Sequence, residues 1–118
     1  MKKRTTILAT VVILSAISAA AYLLHYARLP DYEVLSSSNF TSGGDYRDTD
    51  IDVAVYKHRY DNELYKAIEE HHNNLNGTPN MLTINLYKSD RQRMQGRKPY
   101  VTIRIDYDSG TYEIRGDY

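Results

Sequence analysis

Among the residues able to do chemistry, the histidines come first. His71 and His72 are neighbours in a predicted helix, so their side chains diverge by about 100° and cannot converge on one ion. Glu69 and His72, three apart, share a face, but two ligands do not make a metal site and no third has suitable spacing. His58 falls at a strand-to-helix junction with no partner fixed by spacing. The acids Asp45, Asp48, Asp50 and Asp52 are the next cluster. Asp48-Thr49-Asp50-Ile51-Asp52 has the first three alternating acids of a calcium loop, yet Val53 stands where glycine is required and Arg59 where the closing glutamate belongs. An acidic, solubilising approach to an edge strand is the expectation. The chain has no cysteine, hence no thiolate, no disulfide and no Cys-ligated metal. No GxSxG, no glycine-rich phosphate loop and no carboxylate pair in a definable cleft occurs. The sequence therefore reads as a non-enzyme with no cofactor and no metal.

Binding chemistry has more to offer than catalysis. Tyrosine supplies 12 of the 118 residues, against one phenylalanine and no tryptophan. Its large rigid ring with a polar tip is enriched at interfaces. Tyr65, Tyr107 and Tyr112 are expected to pack the edge of the core. Tyr56, Tyr87 and Tyr100 are expected on or near an open face, where Arg104 and Asp106 flank them and the rings can stack on a partner's side chains or on sugars. A second surface is the basic connection carrying Arg91, Arg93, Arg97 and Lys98, an anion-contact loop suited to lipid headgroups, acidic wall polymers or the acidic stretch of another copy.

The element that decides where this chemistry takes place is Thr5 to Leu24. This apolar run follows Lys2, Lys3 and Arg4, and its roughly 20 residues at about 1.5 Å each just span a hydrocarbon core of about 30 Å. The three cations should remain cytoplasmic and send the rest of the chain outside. Ala19-Ala20-Ala21 would suit a signal peptidase, but the run continues through Tyr22, Leu23 and Leu24, beyond the usual length of a cleaved segment. An uncleaved signal-anchor over residues 1–28 is the reading, with Tyr22 and Tyr26 at the far interface. The cell membrane, crossed once, is the predicted location. From Pro30 onward, 11 Lys and Arg face 15 Asp and Glu, a net −4. That balance and the compartment exclude nucleic acid as a partner. A small outside domain without disulfides fits a bacterial envelope.

Residues 29–49, rich in Ser, Gly, Asp and Asn, read as a flexible tether that holds the domain off the membrane. Asn39-Phe40-Thr41 and Asn76-Gly77-Thr78 match the glycosylation sequon and fall in predicted loops. The folded domain is expected over 50–118. Ile51, Val53 and Val55 alternate with Asp52, Ala54 and Tyr56 as a strand, and Leu64, Ala67, Ile68, His71 or His72, and Leu75 form one stripe of a helix capped by Asp61 and ended by Gly77 and Pro79. Leu82, Ile84 and Leu86 mark a second strand and Val101, Ile103, Ile105 and Tyr107 a third. A fourth follows through the Asp108-Ser109-Gly110 turn with Tyr112 and Ile114. The predicted fold class is α+β: an N-terminal transmembrane helix, a tether, then a two-layer β-α-β-β-β domain with one helix packed on a mostly antiparallel sheet. The function expected is a membrane-anchored, extracytoplasmic interaction or assembly module binding another protein or itself. A wall-polymer or carbohydrate binder is the alternative, and a metal-dependent enzyme using His71, His72 or the acidic series is a distant third.

Overall fold

Twenty-seven residues without a helix breaker, from Lys2 to Arg28, form α1. In the computed structural model, residues 2–41 and 43–116 are described, with side chains from Thr10 onward, so the side chains of Lys2, Lys3 and Arg4 lie outside the described residues. From Thr10 to Arg28 the helix is exposed, and it is long and apolar enough to cross a membrane. The Ser18 hydroxyl donates back to the Leu14 carbonyl at 3.0 Å, so that polar group is satisfied within its own helix.

Five strands follow in one sheet: β1 (Tyr32–Thr41), β2 (Arg47–Val55), β3 (Met81–Tyr87), β4 (Val101–Asp106) and β5 (Thr111–Gly116), in spatial order β1-β2-β3-β4-β5. β2 and β3 are parallel, joined by the crossing helix α2 (Asn62–Asn76), and every other neighbouring pair is antiparallel. The fold is thus α+β with a mostly antiparallel sheet. It has one strand more than the β-α-β-β-β order predicted, and that strand comes from the stretch predicted as a tether. The correction has a physical reason. β1 is an edge strand whose main chain pairs with β2 from Tyr32↔Val55 to Thr41↔Arg47, with a bulge between Val34 and Ser36. Ladder hydrogen bonds hold it, so little apolar burial is needed, and the composition signals only the missing burial. Asn39 accordingly lies in a strand rather than a loop, its Oδ1 accepting from the Thr49 hydroxyl at 2.7 Å.

The core lies between one sheet face and α2. Ile51, Val53, Val55, Leu82, Ile84, Leu86, Val101, Ile103 and Ile105 meet Leu64, Tyr65 and Ile68 of the helix. Asp61 caps α2, its carboxylate accepting the Glu63 N–H at 2.9 Å, and Gly77 ends the helix at φ 81°. Arg47 completes that end. Its guanidinium donates to the carbonyls of Asn76 (3.2 Å) and Gly77 (2.7 Å), in a helix whose last turn carries no basic residue of its own. A short helix, α3 (Asp90–Met94), interrupts the β3–β4 connection with Ser89 as its cap.

Candidate functional site

With period 2 in every strand, the alternate side chains of all five point away from α2. The register sets them in rows. Ser38, Asp50, Thr83, Arg104 and Glu113 lie side by side across the sheet, next to the row Ser36, Asp52, Asn85, Thr102 and Arg115. The result is a polar face with Asp48, Asp50 and Asp52 on β2 and its cations Arg104 and Arg115 on β4 and β5, where Asp106 and Glu113 also lie. Between these columns lies a shallow depression of about 470 Å³, lined by Phe40, Asp48, Asp50, Thr83, Thr102, Arg104 and Arg115. Phe40, at its rim, is 62% exposed.

The electrostatics of this face are unbalanced. Asn85 is the central connector, donating to Asp50 at 2.6 Å and to Asp52 at 3.1 Å while accepting weakly from the Thr102 hydroxyl at 3.4 Å. Arg93 of α3 reaches over the sheet to bond Asp52 at 3.0 Å and Asp90 at 3.1 Å. No such cation reaches Asp48 or Asp50 among the described residues. Burial, and then the neighbouring Asp52 charge, push the Asp50 carboxyl above its ordinary range, with the Asn85 hydrogen bond and, more weakly, the Arg104 charge across the depression opposing. Arg104 is exposed, and its guanidinium makes a long contact to the Met81 sulfur at 3.6 Å. Arg115 pairs with Glu113 at 2.6 Å.

The residues singled out from sequence are distributed unevenly about this face. Arg104 stands in its middle. Asp106 is at its far end, where one carboxylate oxygen accepts the N–H groups of Asp108 and Ser109 and so shapes the β4–β5 turn. Tyr87 is half-buried at the opposite end, its hydroxyl pKa raised by burial and then by the Asp52 charge. Tyr56 follows β2, its hydroxyl donating to Glu33 at 3.1 Å. Tyr100 is the correction: it is 7% exposed, belongs to the core, and donates its hydroxyl to the Arg59 carbonyl at 2.9 Å. It precedes β4 by one residue, so the alternation that would have turned it outward does not apply. Tyr112 differs too, being 48% exposed, because α2 is too narrow to cover the edge strand β5.

Within the basic connection, Arg93 is committed to the two aspartates, whereas Arg91, Arg97 and Lys98 are exposed. His71 is exposed while His72 is buried against Asn73 with a 3.1 Å contact, so the pair diverges as its spacing requires. Among the described residues no group of three His, Cys, Asp or Glu side chains is placed to hold a metal. The chemistry this face supports is recognition through paired charges, amide groups and one exposed ring. Sequence reasoning placed Asn85, Thr102, Glu113 and Arg115 on the open face but missed Phe40, Ser36, Ser38, Asp48, Asp50 and Thr83 as part of the same surface. The usable signal was the alternation of acids with Thr49, Ile51 and Val53, which begins at Asp48 and marks a strand with an acidic outer face. Comparison with known proteins gives no match: no family model, no curated protein and no solved structure is similar to this chain.

Proposed function

We propose that the chain is a single-pass membrane protein of a bacterial envelope, with a cytoplasmic N-terminus, whose outside domain binds another polypeptide through the open sheet face. The length and apolarity of α1 support the anchor, and the cations before it support the orientation. The absence of cysteine supports the bacterial setting. The observation that carries the binding role is the charge separation on the open face: acids without a cation on β2, one of them destabilised, lie across a depression from the exposed Arg104. A surface selected for stability alone would neutralise those acids, whereas a partner presenting a cation beside a carboxylate would satisfy both columns at once. Nothing in this arrangement calls for catalysis, and the proposed role is assembly.

Asp50→Asn and Arg104→Ala test the proposal in the full-length chain. Both should fold normally, and both should retain less of the co-purifying protein after detergent extraction, with the loss deepening as salt is raised. Undiminished retention by both variants would refute the role of this face. One observation favours a wall-polymer ligand instead, namely the Phe40 ring beside Asp48 and Asp50, an aromatic platform next to hydrogen-bond acceptors. Retention of the chain on cell-wall material, lost in Phe40→Ala, would establish that reading.

A further inference from the structure

The end of the domain nearest α1 is its positive pole. Arg28 closes α1, Lys57 and Arg59 occupy the β2–α2 corner, and Lys88, Arg97 and Lys98 occupy the β3–β4 connection. The register brings these segments to one end of the sheet, since Tyr32 pairs with Val55, Ala54 with Tyr87 and Leu86 with Val101. That end is fastened to the helix. The Lys57 ammonium donates to the Ala27 carbonyl at 3.3 Å and sits 5.3 Å from the centre of the Tyr26 ring. The N–H groups of Tyr56 and Lys57 both donate to the Asp31 carbonyl, at 2.9 and 3.2 Å. Residues 29–31 alone separate α1 from β1, which limits the gap between their ends to about 14 Å.

Positive charge is in excess at this end. Lys88, Arg97 and Lys98 are exposed and have no acidic partner among the described residues. Arg59 spends its hydrogen bonds on the carbonyls of Val55 and Lys88 and keeps its charge. Of the nearby acids among the described residues, Asp90 is bonded to Arg93, while Asp31, Glu33, Asp61 and Glu63 keep their charge, Asp61 as the cap of α2 and Glu33 as acceptor from Tyr56, and the basic side chains outnumber them. The far end carries Asp45 and Asp108, both exposed, in its two hairpin turns. A domain that is acidic in sum is therefore polarised along its strands, with the positive pole toward the apolar helix.

We propose that this basic end is a lipid-contact surface: it binds the anionic headgroups of the leaflet from which α1 emerges, and so holds the domain against the bilayer in one orientation. The proposal rests on α1 crossing a bilayer. The covalent path then delivers these cations to headgroup height, because their attraction to an anionic surface extends over a Debye length of ~8 Å in physiological salt and the linker permits little more. Phosphate oxygens would accept from the exposed ammonium and guanidinium groups, while the Tyr26 ring lies at the same level beneath Lys57.

The chain lacks cysteine, so a single label is unambiguous. Met94→Cys, at an exposed site on α3, and Ser109→Cys, in the far turn, would each be labelled in the full-length protein and reconstituted into nanodiscs bearing a headgroup quencher, made of phosphatidylcholine alone or mixed with phosphatidylglycerol. The label at 94 should be quenched more strongly in the anionic discs, and the difference should vanish in ~1 M salt, where the Debye length is ~3 Å. The label at 109, removed by the length of β4, about 20 Å, should not respond. Arg97→Glu combined with Lys98→Glu should abolish the difference at 94. Equal quenching in the two lipids, or a difference that survives charge reversal, overturns the lipid contact. Elution of the chain apart from the discs overturns the anchor itself, so the two failures are distinguishable.

Discussion

Tyr100 shows at the scale of one residue how a ring suited to binding becomes structural. Its hydroxyl and that of Tyr65 both donate to the Arg59 carbonyl, which ties the start of β4 and the first turn of α2 to the corner after β2. Burial holds its phenol pKa well above the ordinary 10.0. A folded-state pKa raised in this way contributes stability in full below pH 10, and the contribution is lost as pH rises from there toward the folded value. Tyr107 acts in the same sense: its hydroxyl donates to Glu69 and accepts from Asn73, both at 2.8 Å, and its pKa is also raised, chiefly by burial. Thermal melts followed by circular dichroism should show the midpoint falling once pH exceeds about 10. Tyr100→Phe should flatten that fall and cost about 1 kcal/mol at neutral pH, since Tyr65 still satisfies the carbonyl. Asp50 carries the opposite message for function. Its raised pKa means that stability is complete below its ordinary 3.8 and declines as pH rises through the folded value, so ionised Asp50 weakens the fold at neutral pH. Asp50→Asn should raise the melting midpoint at pH 7 even as it weakens association. A lowered midpoint would mean that the carboxylate serves the fold.

Elements are where the sequence was most and least legible. The apolar period and the Asp61 cap marked α2, because both are local properties, but of the predicted stripe only Leu64, Ile68 and His72 are buried, while Ala67 and Leu75 face out and Tyr65 packs inward instead. The strands carrying Ile51, Leu82, Ile84 and Ile103 were legible for the same reason. β1 was not, because nothing local distinguishes a polar edge strand from a linker when the partner that supplies its hydrogen bonds is β2. With β1 unseen, Phe40, Ser36 and Ser38 were lost from the candidate face, and Arg47 was left inside a supposed tether. A chain starting at residue 45 should consequently fail to unfold cooperatively, whereas a true tether could be removed without effect. Arg47 gives a finer test of the same element. Arg47→Ala removes two charge-assisted bonds to the carbonyls ending α2 and should destabilise the domain by about 1–2 kcal/mol in chemical denaturation. The β3–β4 connection was read as a polar, basic loop, but the Ser89 cap folds part of it into α3, and Arg93 is bonded to Asp52.

The whole molecule is elongated, 81 × 27 × 23 Å, with α1 extending the long axis of a small sheet domain. Hydropathy alone made α1 legible. The placement of the domain beside it was hidden, because it depends on Lys57 meeting Ala27 across 30 positions of sequence and on the short link of residues 29–31. That link of three residues, with the Lys57–Ala27 bond across it, stands where composition predicted a flexible spacer. The most direct test of binding through the open sheet face is photo-crosslinking in intact cells, with a photoreactive residue replacing Thr83 at the centre of the depression or Lys66 on the exposed side of α2. The expected result is a defined polypeptide adduct from position 83, absent from position 66 and lost when Asp50→Lys is added. Adducts from position 66 alone, or none from position 83, would contradict the proposed role of the open face.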